Sequence, residues 1–165
     1  MCGRFAQVNV IKKTGDIVKS IIGESSDSEN YNISPGQKVF TIKKYTNGMA
    51  ISKIKWSIFP YWAKDKKGFK ALHNTRIESL QKPYFKKIVN KNRLLIPCNY
   101  YYEWSKENIN NKTPYCFKLA DQDIMFLAGL FENDEFSILT QDSSSDIQTI
   151  HHRQPVIIQK NLIND

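Results

Sequence analysis

The chain has 165 residues, 41% of them hydrophobic and 24% charged, enough for one compact domain with a core of its own. No apolar run approaches the roughly 18–20 residues of a bilayer span, and the N-terminal MCGRFAQVNV lacks the basic-then-apolar pattern of a secretory signal. Three cysteines, Cys2, Cys98 and Cys116, are too few and too scattered for a disulfide framework or a zinc site. Membrane protein, secreted miniprotein and metal enzyme are therefore set aside, no cofactor is expected, and a reducing, cytoplasmic setting is. The net charge of +8 points towards polyanions. A lysine-, isoleucine- and asparagine-rich composition also arises from AT-rich coding, so the four arginines, Arg4, Arg76, Arg93 and Arg153, say more than the total.

In chain order, the apolar spacing of residues 9–22 predicts a short helix, capped by Thr14 or Asp16 and stopped by Gly23. ESSDSEN (24–30) reads as a polar loop and YNISPG as a turn. Residues 37–59 read as a β-hairpin turning at Asn47-Gly48. PYWAKDKKGFK is irregular, basic and aromatic, and 78–89 predicts a short helix with Pro83 near its start or at a kink. RLLIPCNYYYEW (93–104) has the pattern of a buried strand containing one acid. NINNKTP is a turn, followed by strands in YCFKLA, IMFLAGLF and FSILT. DSSSDIQTI (142–150) holds one helical turn, and HHRQPVIIQK closes the series as a strand. With no internal repeat and no long linker, the expectation is a single α+β domain of mostly antiparallel strands.

Cys2 stands out chemically. Removal of Met1 would leave a free α-amine beside a thiol, with ordinary pKa values of ~7.7–8.0 and ~8.5. Such a 1,2-aminothiol condenses with aldehydes: the amine forms a Schiff base and the thiolate closes a five-membered thiazolidine. The bland reading is an incidental second residue. HNTRIES (73–79) sets Asn74, Arg76 and Glu78 at alternate positions, one face of an extended segment or merely a solvated edge. Glu103, between Tyr102 and Trp104 on an apolar strand, is either paired with a base or held for proton transfer. His151-His152-Arg153 offers a proton shuttle, although adjacent histidines in a strand face opposite ways. Tyr61 and Trp62 beside Lys64, Lys66 and Lys67 follow the pattern of rings that stack bases between groups that track a backbone, whereas Trp56 reads as core. Cys98 and Cys116 read as small buried hydrophobes.

Together, MCGRFAQ, YNISPGQ, KWSIFPYWAKD, HNTRIES, RLLIPCNYYYEW, FLAGLFE, FSILT and IHHRQPVII resemble the SRAP family, the SOS-response-associated peptidases also described as abasic-site processing proteins. The resemblance runs from residue 1 to about 158. It implies one domain over 1–165, barrel-like in its strands and shortened at the C-terminus. It also implies a monomeric, cytoplasmic sensor, nucleoid-associated when engaged, that crosslinks to abasic sites in single-stranded DNA. Carried over by motif, Cys2 would form the crosslink and Asn74 would hold its amine and the sugar. Glu103 would move protons and His151 would assist sugar ring opening, while His152 fills a variable position. Arg4, Arg76 and Arg153 would grip phosphates, Trp62 would wedge against a base, and Asn32 and Pro35 of YNISPGQ would join the DNA surface. Departures are Ser57, where a glycine is usual, and Asn99-Tyr100, where an acidic or small residue and glycine are common.

Two other functions fit the residues. An N-terminal cysteine nucleophile could hydrolyse amides, in its mildest form only its own leader. A passive single-strand binder would use the basic and aromatic groups and leave Cys2 inert.

Overall fold

Alternating apolar residues place the strands, and short polar inserts decide which sheet each one joins. The computed structural model describes residues 2–15, 21–23 (backbone), 26–63, 67–105 and 112–163. The chain opens with β1 (Arg4–Val8), helix α1 (Val10–Gly15), β2 (Ile21–Gly23), β3 (Glu29–Ile33), β4 (Lys38–Tyr45) and β5 (Gly48–Trp56). A 3-10 turn at Tyr61–Ala63 leads to β6 (Asn74–Arg76), a second such turn at Ile77–Gln81, and helix α2 (Pro83–Val89). Then follow β7 (Arg93–Cys98), β8 (Tyr100–Trp104), β9 (Pro114–Phe117), β10 (Met125–Glu132) and β11 (Glu135–Asp142). Helix α3 (Ser145–Gln148), β12 (Arg153–Pro155), β13 (Ile157–Ile158) and a last 3-10 turn at Lys160–Leu162 complete the order.

The strands form two sheets. The smaller runs β3-β1-β8-β9; the larger runs β12-β11-β10-β7-β4-β5-β2, with β13 added to β10 and β6 to β11. The α+β class and mostly antiparallel pairing agree with the sequence, but the barrel-like closure does not form. The larger sheet keeps edges at β12 and β2, and β11 meets β5 over only two residue pairs, Glu135 with Lys55 and Phe136 with Trp56. The physical cause lies partly at Asn99, which breaks the 93–104 run into β7 and β8 and sends β8 into the other sheet.

Other boundaries moved for identifiable reasons. The helix expected over 9–22 stops at Gly15; Ile21–Gly23 instead pair in parallel with Met49–Ile51, so Gly23 lies in a strand. The proposed cap Asp16, with Ile17 and Val18, lies outside the described residues. In the hairpin Tyr45 pairs with Gly48, so the two-residue turn is Thr46-Asn47 and the glycine, at φ +134°, is the first residue of the return strand. Pro83 is the first residue of α2, where its missing N–H costs nothing. The closing segment is two short strands flanking Val156, with both histidines ahead of the first.

The main core gathers Phe5, Ile33, Trp56, Leu94, Ile96, Phe136 and Ile138 between the sheets, together with Cys2, Cys98 and Tyr101. Gln7 on β1, also buried, ties the smaller sheet to β4 and β7 of the larger one. Continuing the β4–β7 register sets Phe40 opposite Pro97, which has no N–H to give. The Gln7 amide takes that place: Nε2 donates to the Phe40 and Pro97 carbonyls, each at 2.8 Å, and Oε1 accepts from the Phe40 amide at 3.0 Å. Asn99 adds a second clasp, donating its backbone N–H to the Ala6 carbonyl at 3.0 Å and accepting from the Val8 amide at 2.7 Å. Among the described residues no helix is long and apolar enough to cross a membrane.

Replacing Gln7 by Leu keeps bulk but strands three buried backbone groups, so the expected loss is about 3 kcal/mol of unfolding free energy. Urea unfolding of the variant checks this; a loss below about 1 kcal/mol would show that the clasp is not what joins the sheets.

Candidate functional site

Cys2 sits directly ahead of β1, which pairs with β8 through Arg4–Tyr102 and Phe5–Tyr101. Its side chain is fully buried. Asn74, the first residue of β6, donates from Nδ2 to the Cys2 carbonyl at 2.9 Å. The other half of that amide, Oδ1, is buried and accepts no hydrogen bond among the described residues. Asn74 is held from both sides. The amide of Ile138 and the indole N–H of Trp56 both donate to the His73 carbonyl, at 2.9 and 2.8 Å, and Thr75 Oγ1 bonds Ser137 Oγ at 2.7 Å. With Thr75 turned inward, Asn74 and Arg76 project from the opposite face of the strand.

On β8 the inward positions are Tyr101 and Glu103, both buried. Burial, and next the Glu103 carboxylate, push the Cys2 thiol well above its ordinary value, against a hydrogen bond from the Arg4 backbone amide that lowers it. Cys98 and Tyr101 are likewise pushed up by burial first and then by Cys2. Cys2 is thus a neutral thiol at physiological pH, with a carboxylate and an asparagine amide beside it.

A second cluster lies along β11, which carries β6 and β12. Arg153 is only 4% exposed. Its Nη1 donates to Glu78 Oε1 at 2.8 Å and Asp142 Oδ1 at 2.6 Å; its Nη2 donates to Glu78 Oε2 at 3.0 Å and the Thr140 carbonyl at 2.6 Å. Hydrogen bonding from Arg153 holds the Glu78 carboxyl down at about 2. Glu78 does not share the Asn74–Arg76 strand face as its spacing suggested: the strand ends at Arg76 and Glu78 belongs to the 3-10 turn. His151 is buried, and its Nδ1 lies 3.0 Å from both the amide nitrogen and the carbonyl oxygen of Arg153. The amide N–H can donate to a bare Nδ1 and the carbonyl can accept from Nδ1–H, so the Arg153 backbone engages this nitrogen in either tautomer. The His151 and His152 rings stack, with centroids 4.6 Å apart, rather than facing opposite ways.

Comparison with known proteins bears on what this arrangement is. The model of the family described as SOS response associated peptidase (SRAP) matches residues 1–165. The chain belongs to the SRAP family. The abasic site processing protein YoqW of Bacillus subtilis (strain 168) is 32% identical over 174 residues, covering 96% of this chain and 76% of that protein. YMR114C of Saccharomyces cerevisiae, also named an abasic site processing protein, is 30% identical over 139 residues, covering 79% of this chain and 37% of its own length. Among solved structures, a phage-related protein from Bordetella bronchiseptica superposes with a TM-score of 0.78 at 23% identity, covering 99% of this chain and 80% of that one. A protein from Bacteroides thetaiotaomicron gives 0.69 at 22%, covering 98% and 76%. These two show a shared fold.

Of the positions that the sequence resemblance implied, the structure brings Cys2, Asn74 and Glu103 together, and gathers Arg153 and His151 in the second cluster. The others lie around them. Arg4 is half-buried, Arg76 and Asn32 are exposed, and Pro35 sits in a turn where Gly36, at φ +96°, donates its N–H to the Trp56 carbonyl at 2.7 Å. Trp62 is 40% exposed and stands edge-on to Phe69 and Tyr84. Lys67 is exposed, and Lys64 and Lys66 lie outside the described residues. Trp56 is core as read, whereas Cys116 is exposed on β9 rather than buried, because β9 is an edge strand. Gln7, Asp142 and Thr140 escaped the sequence reading. Only Gln7 left a trace there, as a lone amide inside the apolar strand RFAQV. Among the described residues no group of three or more His, Cys, Asp or Glu is placed to hold a metal ion.

The thiols should therefore differ sharply. In the folded protein a maleimide at mildly alkaline pH modifies Cys116 quickly and Cys2 and Cys98 slowly, and in denaturant all three react alike. Peptide mapping reads this out, and fast labelling of Cys2 in the folded chain would contradict its burial.

Proposed function

We propose that this chain captures abasic sites in single-stranded DNA by building a thiazolidine on Cys2 once Met1 is removed. The ring-opened abasic sugar carries an aldehyde at C1′. The Cys2 α-amine adds to it and one water leaves, giving an imine; the thiol sulfur then adds to C1′ while its proton passes to the nitrogen. Glu103 shuttles these protons, and the uncommitted Oδ1 of Asn74 accepts from the α-amine. The observation that carries the reading is the bond from Asn74 to the Cys2 carbonyl, with that buried acceptor left open beside the residue whose amine must react. The raised thiol orders the steps: the amine is the first nucleophile and the sulfur closes the ring. The names of the relatives, abasic site processing proteins, point to the same lesion.

The net charge of +8 supplies the attraction for the strand. In this reading Arg4 and Arg76 bind phosphates, and Trp62, Asn32 and Pro35 contact the nucleotides around the lesion. The word peptidase in the family's description fits a second activity of the same residues, removal of the chain's own Met1, which would uncap the amine this chemistry needs.

Intact-mass analysis after incubation with an abasic oligonucleotide is the test. The expected product is the sum of protein without Met1 and DNA, less one water. Cys2→Ala should form no such thiazolidine adduct yet keep its affinity for the undamaged strand; equal capture by that variant would remove the mechanism. Glu103→Gln should slow capture by about 100-fold. Because it also removes the charge that raises the Cys2 thiol, its rate should rise with pH over a lower range than the wild type's. Arg76→Ala should lower the slope of log affinity against log salt by about 0.7; an unchanged slope would place Arg76 off the DNA path.

A further inference from the structure

We infer that Glu78, acting through Arg153, is a positioning residue for His151, the buried imidazole that would assist opening of the abasic sugar to its aldehyde; this rests on the capture reading above and adds two residues to it. A guanidinium buried as deeply as that of Arg153 needs carboxylate and carbonyl partners, and loses stability sharply if one is removed. Glu78 gives it a two-pronged pairing at 2.8 and 3.0 Å, and Asp142 and the Thr140 carbonyl take the remaining Nη protons. All four Nη hydrogens are thereby committed, and Nε is buried.

The pairing fixes more than a side chain. Arg153 begins β12, and its amide N–H meets His151 Nδ1 at 3.0 Å. Holding the guanidinium against β11 holds the 151–153 backbone, and both the amide and the carbonyl of Arg153 meet the ring at Nδ1. Glu78 thus orients the His151 ring, and with it the balance between its tautomers, without touching it. The same short segment begins with Asn74 on the Cys2 carbonyl, so β6 and its 3-10 turn register the two clusters against one another. Glu78 is itself a carboxylate at any pH near neutrality, so the pairing does not switch off in the working range. Direct phosphate contact is left to Arg4 and Arg76, because Arg153 has no Nη hydrogen to offer a strand.

Glu78→Gln keeps the shape and removes the charge. Its capture rate at saturating abasic single strand should fall about tenfold, within what general acid–base groups supply. Affinity for undamaged strand should stay within about twofold, with the same salt slope. Nitrogen-15 shifts of the His151 ring should report a tautomer balance different from the wild type's, and a thermal melt reports whether the fold survives. Should the Gln variant melt, Glu78→Asp, which keeps the charge on a shorter arm, must show the same change of balance. An unchanged rate with the wild-type tautomer balance would overturn the inference. So would lost affinity with a shallower salt slope, which would make Arg153 a phosphate ligand. If the wild type forms no adduct at all, the capture reading fails, and the ring tautomers alone decide the role of Glu78.

Discussion

Everything proposed for Cys2 depends on a chain terminus that does not fray. The first residues of a domain are ordinarily mobile unless tied down. Here β1 is tied from below by the Gln7 amide, which stands in for the N–H that Pro97 lacks, and from the side by Asn99. These contacts join the two sheets at the point where the N-terminus enters. They place Cys2 in the main core rather than on the surface, within reach of β6 and β8. An aminothiol in open water would meet any aldehyde. One held at this buried position meets a sugar delivered by a strand.

Burial has a chemical consequence as well as a structural one. It raises the Cys2 thiol, and the Glu103 carboxylate raises it further, so the sulfur is a poor nucleophile until an electrophilic carbon is already attached to the neighbouring nitrogen. The same environment favours proton transfer by a carboxylate shielded from solvent. The Arg153 cluster works in the opposite electrostatic sense: full pairing with Glu78 and Asp142 removes a buried charge from play and converts it into a fixed backbone at His151.

How much of this could be read from the sequence depended on whether the signal was local. The hairpin, the strands at IMFLAGLF and FSILT, the core position of Trp56 and the segments that carry Cys2, Asn74 and Glu103 all followed from periodicity, turn residues or motif. What failed was non-local. The apolar spacing of 9–22 is equally good for a helix and for strand β2, and pairing with β5 decided the outcome. Residues 93–104 look like one strand, and only the clasp between Asn99 and β1 shows why they divide between sheets. The resemblance implied a barrel-like closure, but closure depends on which edges meet, which no residue pattern states. Likewise the pairing of Arg153 with Glu78 and Asp142 left no sequence signal, because those carboxylates are 75 and 11 residues away.

The most direct test of the account is carbon-13 NMR of the wild-type protein after incubation with a single-stranded oligonucleotide labelled at C1′ of its abasic site. The account predicts that the signal moves to that of a tetrahedral carbon bonded to both nitrogen and sulfur, and that Cys2→Ala never produces it. A persistent imine carbon, or a signal that stays with the free sugar, would contradict it.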